Sequence, residues 1–303
     1  MTNGMLLVNK PDGVSSARVV DQVKKIFQVK KAGHTGTLDP FATGLLPVAL
    51  GQATRLSRFF LGSAKQYRAV VTLGIETDTL DKTGRVTFQA DPELVSSIQP
   101  ARVRQAAAGF AGVQQQVAPS FSALKHQGQP LYKLARQGKM IKKPPRTIEI
   151  YRISVTRMDL PEFEITVACS GGTYIRSLAH DMGRLLGCGA HLSGLCRTAV
   201  SQFTLDQAVD LDTLHTCDRK TAKTRILPMA DCLPFLPLVQ ADAVLEEKIR
   251  YGRKLGHQDI GSMTGRVPAD GFVRITGLDG RLIAVVQADN SGAGYNYCCV
   301  FSG

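Results

Sequence analysis

The stretch "GHTGTLDPFATGLLPVALGQATR", residues 33–55, contains a single carboxylate, Asp39, and the next acid along the chain is Glu76. Glycine and threonine residues precede Asp39, and glycine allows a ligand to approach the backbone closely. This composition favours a loop in which one acid contacts or reacts with a ligand. Two structural alternatives remain open at this point, because Asp before Pro often begins a helix and His34 fits a tight turn.

The chain has none of the common signatures of nucleotide, zinc-protease or serine-hydrolase sites. A lone G-x-G in "GCGAH" is too weak to indicate a nucleotide site, so we expect neither cofactor nor metal. The seven cysteines are dispersed, without C-x-x-C or zinc-finger spacing, which predicts a reducing, cytoplasmic setting. The N-terminus does not resemble a leader, and the absence of a long apolar run predicts no membrane insertion.

The net charge of +12 is concentrated in one part of the chain. Between Leu94 and Ile148 there is no Asp or Glu, whereas nine residues are Lys or Arg. A block of one sign indicates a polyanionic partner, of which nucleic acid is the commonest. A basic face that is merely solvated is the alternative.

Apolar periodicity predicts a mixture of helices and strands. "MLLVNKPDGVSS" reads as a strand, a turn and a helix capped by Ser15 or Ser16, which continues to about residue 29. "KQYRAVVTLG" alternates as a strand does, with "GRVTFQA" as a plausible partner, and two further strands meet at 159–162. "TYIRSLAHDMGRLLG" predicts a helix between a cap at Thr173 and a stop at Gly187.

The C-terminal part of the chain differs in composition and in hydrophobic pattern. A proline-rich stretch after Arg225 reads as a linker or domain edge, and a short helix follows around "ADAVLEEKIRYGRKLG". "GFVRITGLDGRLIAVVQAD" predicts a hairpin, and "YNYCCVF" predicts one more strand. The last 65 to 70 residues therefore suggest a small β-rich module.

Five segments, in order, resemble motifs of the TruB family of tRNA pseudouridine synthases. They are "LLVNKPDGVSS", "GHTGTLDPFATGLLPVALGQATR", "KQYRAVVTLGIETDTLDKTG", "PSFSALKHQGQPLYKLARQG" and "CSGGTYIRSLAHDMGRLLGCGAHLSGLCRT". Two departures from the family pattern are Cys196, where a basic residue is common, and Ser201, where glycine is usual. These departures concern details of RNA contact and leave the catalytic motifs intact.

The resemblance implies an α+β catalytic domain with a mixed, largely antiparallel sheet at residues 1–232, carrying a basic RNA-clasping insertion at about 119–146. A PUA-like RNA-binding domain would follow at 233–303. The implied activity is isomerisation of uridine 55 in the T-loop of tRNA by a cytoplasmic monomer, without cofactor, metal, membrane or obligate protein partner. The alternative is a non-catalytic protein that binds and folds tRNA.

The resemblance also assigns roles to single residues. Asp39 would be the catalytic carboxylate, acting on the ribose, on the base or through a glycal-type intermediate, with Arg176 holding it ionised. Tyr67 would stack on the flipped base and assist loss of the C5 proton. Without the motifs, Arg176 would read as a surface residue of a helix and Tyr67 as an inward strand residue.

Further residues would bind or support the substrate. His34 would insert where the everted nucleotide left the RNA stack, and Tyr174 and Leu195 would line the pocket, although core packing is the usual reason for such a leucine. Lys10 and Pro11 would support the site structurally. The residues that would clasp the RNA are Lys125, Lys133, Arg136, Lys139, Lys142 and Lys143, interleaved with Phe121 and Tyr132.

Overall fold

The computed structural model describes residues 2–261, 271–289 and 294–301, so parts of the predicted domain at 233–303 lie outside the described residues. The strands of the described part are β1 (Gly4–Lys10), β2 (Ala32–His34), β3 (Thr43–Leu50), β4 (Lys65–Leu73), β5 (Ile75–Thr77), β6 (Val86–Gln89), β7 (Gly112–Gln116), β8 (Lys125–His126), β9 (Gln129–Pro130), β10 (Arg146–Asp159), β11 (Glu162–Cys169), β12 (Ala190–Val200), β13 (Phe203–Thr204), β14 (Val209–Asp210), β15 (Ile226–Leu227), β16 (Leu238–Gln240), β17 (Phe272–Thr276), β18 (Leu282–Ala288) and β19 (Tyr295–Val300). The α-helices are α1 (Ser16–Phe27), α2 (Arg58–Leu61), α3 (Pro92–Ser96), α4 (Pro100–Ala108), α5 (Leu131–Arg136), α6 (Ile175–Leu186), α7 (Leu211–Thr216), α8 (Arg219–Thr224) and α9 (Ala243–Arg250).

One large sheet organises residues 4–227. Its strand order is β14-β1-β3-β12-β4-β11-β10-β7, with β2 paired to β3, β13 to β12 and β15 to β1. The β1/β14 and β12/β3 pairs are parallel and the other pairs are antiparallel. The expected mixed, largely antiparallel sheet is therefore confirmed.

Helices α1 and α6 position the candidate site against this sheet. In α1, Val19, Val23 and Phe27 recur at helical spacing and are fully buried, and the Ser15 side chain caps the first turn. In α6, Leu178 and Met182 are buried in the same core, and Gly187 ends the helix at a φ of 84°. No described helix is long and apolar enough to cross a membrane.

The C-terminal strands form a separate sheet, in the order β16-β17-β18-β19, with α9 packed against it. The expected hairpin (β17 and β18) and final strand (β19) are confirmed. This sheet shares an apolar cluster with the large sheet, in which Phe59 meets Phe272 edge-on at 5.2 Å between ring centroids. Leu233 and Leu236 of the proline-rich stretch are buried in the same cluster, so this stretch is packed rather than a free linker.

The structural alternative in which Asp39 and Pro40 begin a helix is wrong. Asp39 and Pro40 are followed by a short turn, in which the Ala42 N–H donates to the Asp39 carbonyl at 3.1 Å, and then by β3. Gly44 has a φ of 99°, which no helix allows, and Pro47 lacks the N–H that a helix would require. Almost every residue of β3 is buried, as expected for a central strand covered on both faces.

Three smaller expectations about secondary structure also differ from the structure. "GRVTFQA" contributes β6, which pairs with β5 rather than β4, because β11 and β12 already occupy both edges of β4. Helix α6 begins at Ile175 without a side-chain cap, so Thr173 is not the N-cap. Helix α1 ends at Phe27, two residues early, where Gln28 adopts a left-handed conformation.

Candidate active site

The backbone of the loop that carries Asp39 is held by hydrogen bonds with the side chains of Ser16 and Lys10. The Ser16 hydroxyl donates to the Leu38 carbonyl at 2.9 Å and accepts from the Leu38 N–H at 2.8 Å. The fully buried Lys10 ammonium donates to the Pro40 carbonyl at 3.0 Å and also to the Pro11 carbonyl. These bonds fix the direction of the carboxylate before any ligand is present.

Asp39 and Arg176 form a two-point ion pair. The Nε atom of Arg176 lies 2.8 Å from Oδ2 of Asp39, and Nη2 lies 3.2 Å from Oδ1. The arginine side chain is 3% exposed and the aspartate side chain 31% exposed. Arg176 also donates to the carbonyls of Thr79 at 2.8 Å and Phe121 at 2.9 Å, so its orientation is fixed. A partly exposed carboxylate is thereby held by a buried guanidinium.

Burial raises the pKa of Asp39 above that of an ordinary aspartate, and the nearby Asp81 carboxylate raises it further, while Arg176 and Lys10 oppose the shift. Asp39 therefore ionises at a higher pH than a solvated carboxylate, and Arg176 limits this rise. The pair joins a carboxylate of raised pKa to the cation that keeps it charged.

Asp81 is a second carboxylate of the site that the sequence analysis did not single out. It is buried, and one of its oxygens lies 3.5 Å from Nη1 of Arg176. The hydroxyls of Thr79 and Thr83 donate to its other oxygen at 2.9 and 2.6 Å. In the sequence, an aspartate between two threonines reads as a side-chain-stabilised turn, which is why the pattern gave no functional signal.

Tyr67 lies on β4 and is 8% exposed. It stands directly opposite Arg197 of β12, and its hydroxyl interacts with the guanidinium of that arginine. Burial raises the pKa of Tyr67, with Arg197 acting in the opposite direction and Asp39 in the same direction. The phenol is therefore neutral at physiological pH, and it lies near enough to Asp39 for that carboxylate to contribute to the shift.

The sequence analysis did not identify Arg197 as a site residue, although it lies in "LCRT" at the end of the last motif segment. It is 1% exposed, and its guanidinium donates to the carbonyls of Leu45 at 2.8 Å and Gly36 at 3.1 Å. Gly44 faces the backbone of this arginine so closely that a Cβ there would lie 2.4 Å from the Arg197 carbonyl oxygen. Arg197 thus ties the glycine-rich loop before Asp39 to the strand opposite Tyr67.

His34 is the last residue of β2 and pairs with Val48. Its Nδ1 atom is buried and has no hydrogen-bond partner among the described residues. Burial and the Arg197 charge lower the pKa of the imidazole, which is therefore neutral. A flat, uncharged ring is thus placed five residues before Asp39.

Tyr174 precedes α6 and Leu195 lies on β12, and both are half-buried. Tyr174 is half-buried at the start of α6, where its N–H donates to Gln116 at 2.8 Å and its ring lies under the Arg146 guanidinium at 4.6 Å. Leu195 is half-buried on β12 and packs against the main core. Its partial exposure is compatible with both core packing and a pocket wall.

The predicted clasp leaves the sheet between β7 and β10, at one edge. Five of its six predicted phosphate-binding side chains are exposed, namely Lys125, Lys133, Arg136, Lys139 and Lys142. Lys143 is half-buried and lies 3.4 Å from His126. The Phe121 carbonyl bonded to Arg176 joins the root of this segment to the ion pair.

Two family models match the chain. The N-terminal domain of the TruB family pseudouridylate synthases matches residues 24–175, and the C-terminal domain of tRNA pseudouridylate synthase B matches residues 176–233. Among curated proteins, tRNA pseudouridine synthase B of Burkholderia pseudomallei is 41% identical over 94% of this chain and 93% of its own length. The enzyme of the same name from Geobacter sulfurreducens gives the same figures.

A solved structure has the same architecture. The chain superimposes on the matching chain of a Cbf5-Nop10-Gar1 complex with a TM-score of 0.76 and 27% sequence identity, covering 99% of this chain and 85% of that one. This likeness supports the assignment of the large sheet and its helices to the pseudouridine synthase fold.

Proposed function

Because the chain belongs to the TruB family of pseudouridine synthases, which isomerise uridine in tRNA, we propose that its target is uridine 55 in the T-loop. The observation that carries this proposal is the two-point ion pair between Asp39 and the buried Arg176. It supplies an oriented carboxylate, held ionised by a cation, beside a buried aromatic ring and at the root of a basic insertion.

The reaction is redox-neutral and balanced within one nucleotide. The bond between ribose C1′ and base N1 breaks, the base turns, and C1′ joins C5, while C5 loses a proton and N1 becomes protonated. Asp39 acts as the catalytic carboxylate by attack on the ribose, by attack on the base, or by assisting loss of the base through a glycal-type intermediate. All three routes require an ionised, correctly aimed carboxylate.

Uridine in a folded loop must be turned out of the stack to reach Asp39. In the proposed complex, the Tyr67 ring stacks on the flipped base, and Tyr174 and Leu195 line the rest of the pocket. His34, neutral and without a partner for Nδ1, occupies the gap left in the RNA. Lys10 and Pro11 support the Asp39 loop from behind.

We propose a domain division at residue 232, with a catalytic domain before it and a PUA-like RNA-binding domain at 233–303. The four-stranded sheet with α9 supports a separate module. Residues 233–303 hold seven Lys and Arg and seven Asp and Glu, so the net charge of +12 resides in the catalytic domain. The protein would act as a cytoplasmic monomer.

Incubation of the purified protein with an unmodified tRNA transcript tests the proposed target. Pseudouridine should form at position 55 and nowhere else, and a transcript with cytidine at that position should remain unmodified. Formation at another uridine, with position 55 untouched, would contradict the proposed target.

Replacement of Tyr67 separates stacking from proton transfer. If the ring only stacks, Tyr67→Phe retains base binding and rate, while Tyr67→Ala loses about 1–3 kcal/mol of stacking. If the hydroxyl also assists loss of the C5 proton, Tyr67→Phe is slow as well. Single-turnover rates at saturating tRNA measure both effects, and normal rates for both variants would make Tyr67 a core residue only.

The acid limb of activity should follow the raised pKa of Asp39. Ionised Asp39 increases as pH rises, so the single-turnover rate should fall on acidification at a pH above the ordinary aspartate value of about 3.9. Asp81→Asn removes a negative charge that raises the pKa of Asp39, and should therefore move this limb to lower pH. A limb that stays in place or moves upward would contradict the electrostatic coupling of the two carboxylates.

The clasp is tested by replacing Lys139, Lys142 and Lys143 together with Ala. Each lost phosphate contact should reduce the slope of log affinity against log salt by roughly 0.7 to 0.9. Single-turnover catalysis at saturating tRNA should suffer less, because Asp39 is untouched. An unchanged slope with unchanged affinity would show that these residues form a merely solvated basic face.

A further inference from the structure

A second basic surface lies outside the clasp and the cleft. It consists of the end of α1, the chain after it, and α8, and we call it the α1–α8 surface. Its members are Lys24, Lys25, Lys30, Lys31, Arg219, Lys220, Lys223 and Arg225. All are exposed except the half-buried Lys24, and none of them forms an ion pair within 4.0 Å among the described residues.

The two helices form one surface because Arg219 joins them. Its guanidinium donates to the Phe27 carbonyl at 2.8 Å and to the Gln28 side chain at 2.7 Å, at the end of α1. The nearest acid in the sequence of α8, Asp218, accepts bonds from the N–H groups of Lys220 and Thr221 as the helix cap. Asp21 of α1 lines the same surface depression as Lys25, but no member of the α1–α8 surface forms an ion pair among the described residues, so most of its charge is unpaired.

Favourable interactions with the helix dipoles explain only some of the cations on the α1–α8 surface. Lys24 and Lys25 occupy the last turn of α1, where cations interact favourably with the helix dipole. Lys30 and Lys31 lie beyond that helix, and Lys220 lies in the first turn of α8, where the dipole disfavours a cation. Uncompensated cations that do not serve their own helices indicate attraction to an external polyanion.

The α1–α8 surface and the clasp lie at opposite edges of the large sheet. Helix α8 packs on α1 and on β15, which pairs with β1, whereas the clasp leaves from β7 and β10. Six strand spacings separate β1 from β7, or about 29 Å at 4.8 Å each. At 3.4 Å per stacked nucleotide, this distance corresponds to about nine nucleotides of one strand.

We propose that the α1–α8 surface binds the phosphate backbone of tRNA outside the T stem-loop that enters the cleft. The inference rests on the proposed function for the identity of the RNA. Arg and Lys in this arrangement recognise phosphate charge without reading sequence, so the surface adds affinity for the complete tRNA and not for a particular base. The isolated T stem-loop would be bound only by the clasp and by the site around Asp39.

The test compares two RNAs and two variants. The variant Lys30→Gln/Lys31→Gln/Lys220→Gln/Lys223→Gln removes four cations of the surface, none of which belongs to the proposed catalytic or clasp residues. Its matched control, Arg68→Gln/Arg184→Gln, removes cations that already face a carboxylate, Glu164 at 3.7 Å and Glu76 at 3.2 Å. The probes are a full tRNA transcript and the isolated T stem-loop of the same sequence, titrated over a range of salt.

We expect the quadruple variant to bind full tRNA at least about tenfold more weakly at low salt, with a salt slope smaller by about 3, and to bind the stem-loop as the wild type does. Per charge removed, the control variant should lose less affinity for full tRNA than the quadruple variant does. Wild-type turnover on the stem-loop shows that the variant is folded. Unchanged binding of full tRNA would overturn the proposal, as would an equal loss on both RNAs.

The binding comparison does not depend on turnover. If the wild-type protein formed no pseudouridine in either RNA, the proposed function would fall while the two dissociation constants still decided the role of the surface. Unchanged RNA binding would instead direct the search to an acidic protein partner, and would count against the present proposal.

Discussion

Asp39→Asn should lower the rate of pseudouridine formation by at least about a thousandfold while tRNA binding stays within a few-fold of wild type. The amide has the size of the carboxylate but no negative charge, so it cannot serve as nucleophile or base. Binding is retained because the phosphate contacts proposed for the clasp lie on a different segment. Single-turnover assays with saturating protein, together with equilibrium binding, measure the two effects separately.

The same variant distinguishes an enzyme from a protein that only binds and folds tRNA. Undiminished turnover by Asp39→Asn would remove Asp39 from the chemistry. A wild-type protein that binds tRNA tightly but makes no pseudouridine would instead support the non-catalytic alternative. The two outcomes differ in the wild-type control, so one experiment separates them.

Arg176→Met should reduce turnover by at least about a hundredfold. The variant removes both ion-pair contacts with Asp39, and without the guanidinium the pKa of that carboxyl rises further, so less of it is ionised at neutral pH. The acid limb of the residual activity should therefore lie at higher pH than in the wild type. Rates over a pH series check this direction.

The variant should also be less stable. The Thr79 and Phe121 carbonyls lose their donor, and each unsatisfied group costs about 1–3 kcal/mol. The buried Asp81 carboxylate also loses the cation that lies 3.5 Å away. Arg184→Met on the same helix is the matched control, because Arg184 is largely exposed and should leave turnover near wild type. Near-normal activity of Arg176→Met in the folded protein would refute the functional pairing with Asp39.

Local signals in the sequence located much of this structure. The cap at Ser15, the end of α6 at Gly187 and the C-terminal hairpin depend on neighbouring residues alone, and the structure confirms each of them. The pairing of Asp39 with Arg176 required family motifs, because 137 residues separate the two partners. Their contact is now visible as distances between named atoms.

The residues that the sequence analysis missed depend on tertiary contacts. Arg197 is fully buried only because β12 lies between β3 and β4, a topology that no local pattern encodes. Asp81 reads as a turn residue until Arg176 approaches from α6. The alternative of a helix after Asp39 is wrong for the same reason, since burial of β3 on both faces overrides the helix-starting signal of Asp-Pro.

A map of pseudouridine in tRNA from cells lacking this protein shows whether the chain modifies position 55 in the cell. We expect uridine at position 55 in tRNA from these cells, and pseudouridine restored by the wild-type chain but not by Asp39→Asn. Persistence of pseudouridine at position 55 in the absence of the protein would refute the proposed target, and its full restoration by Asp39→Asn would refute the catalytic role of Asp39.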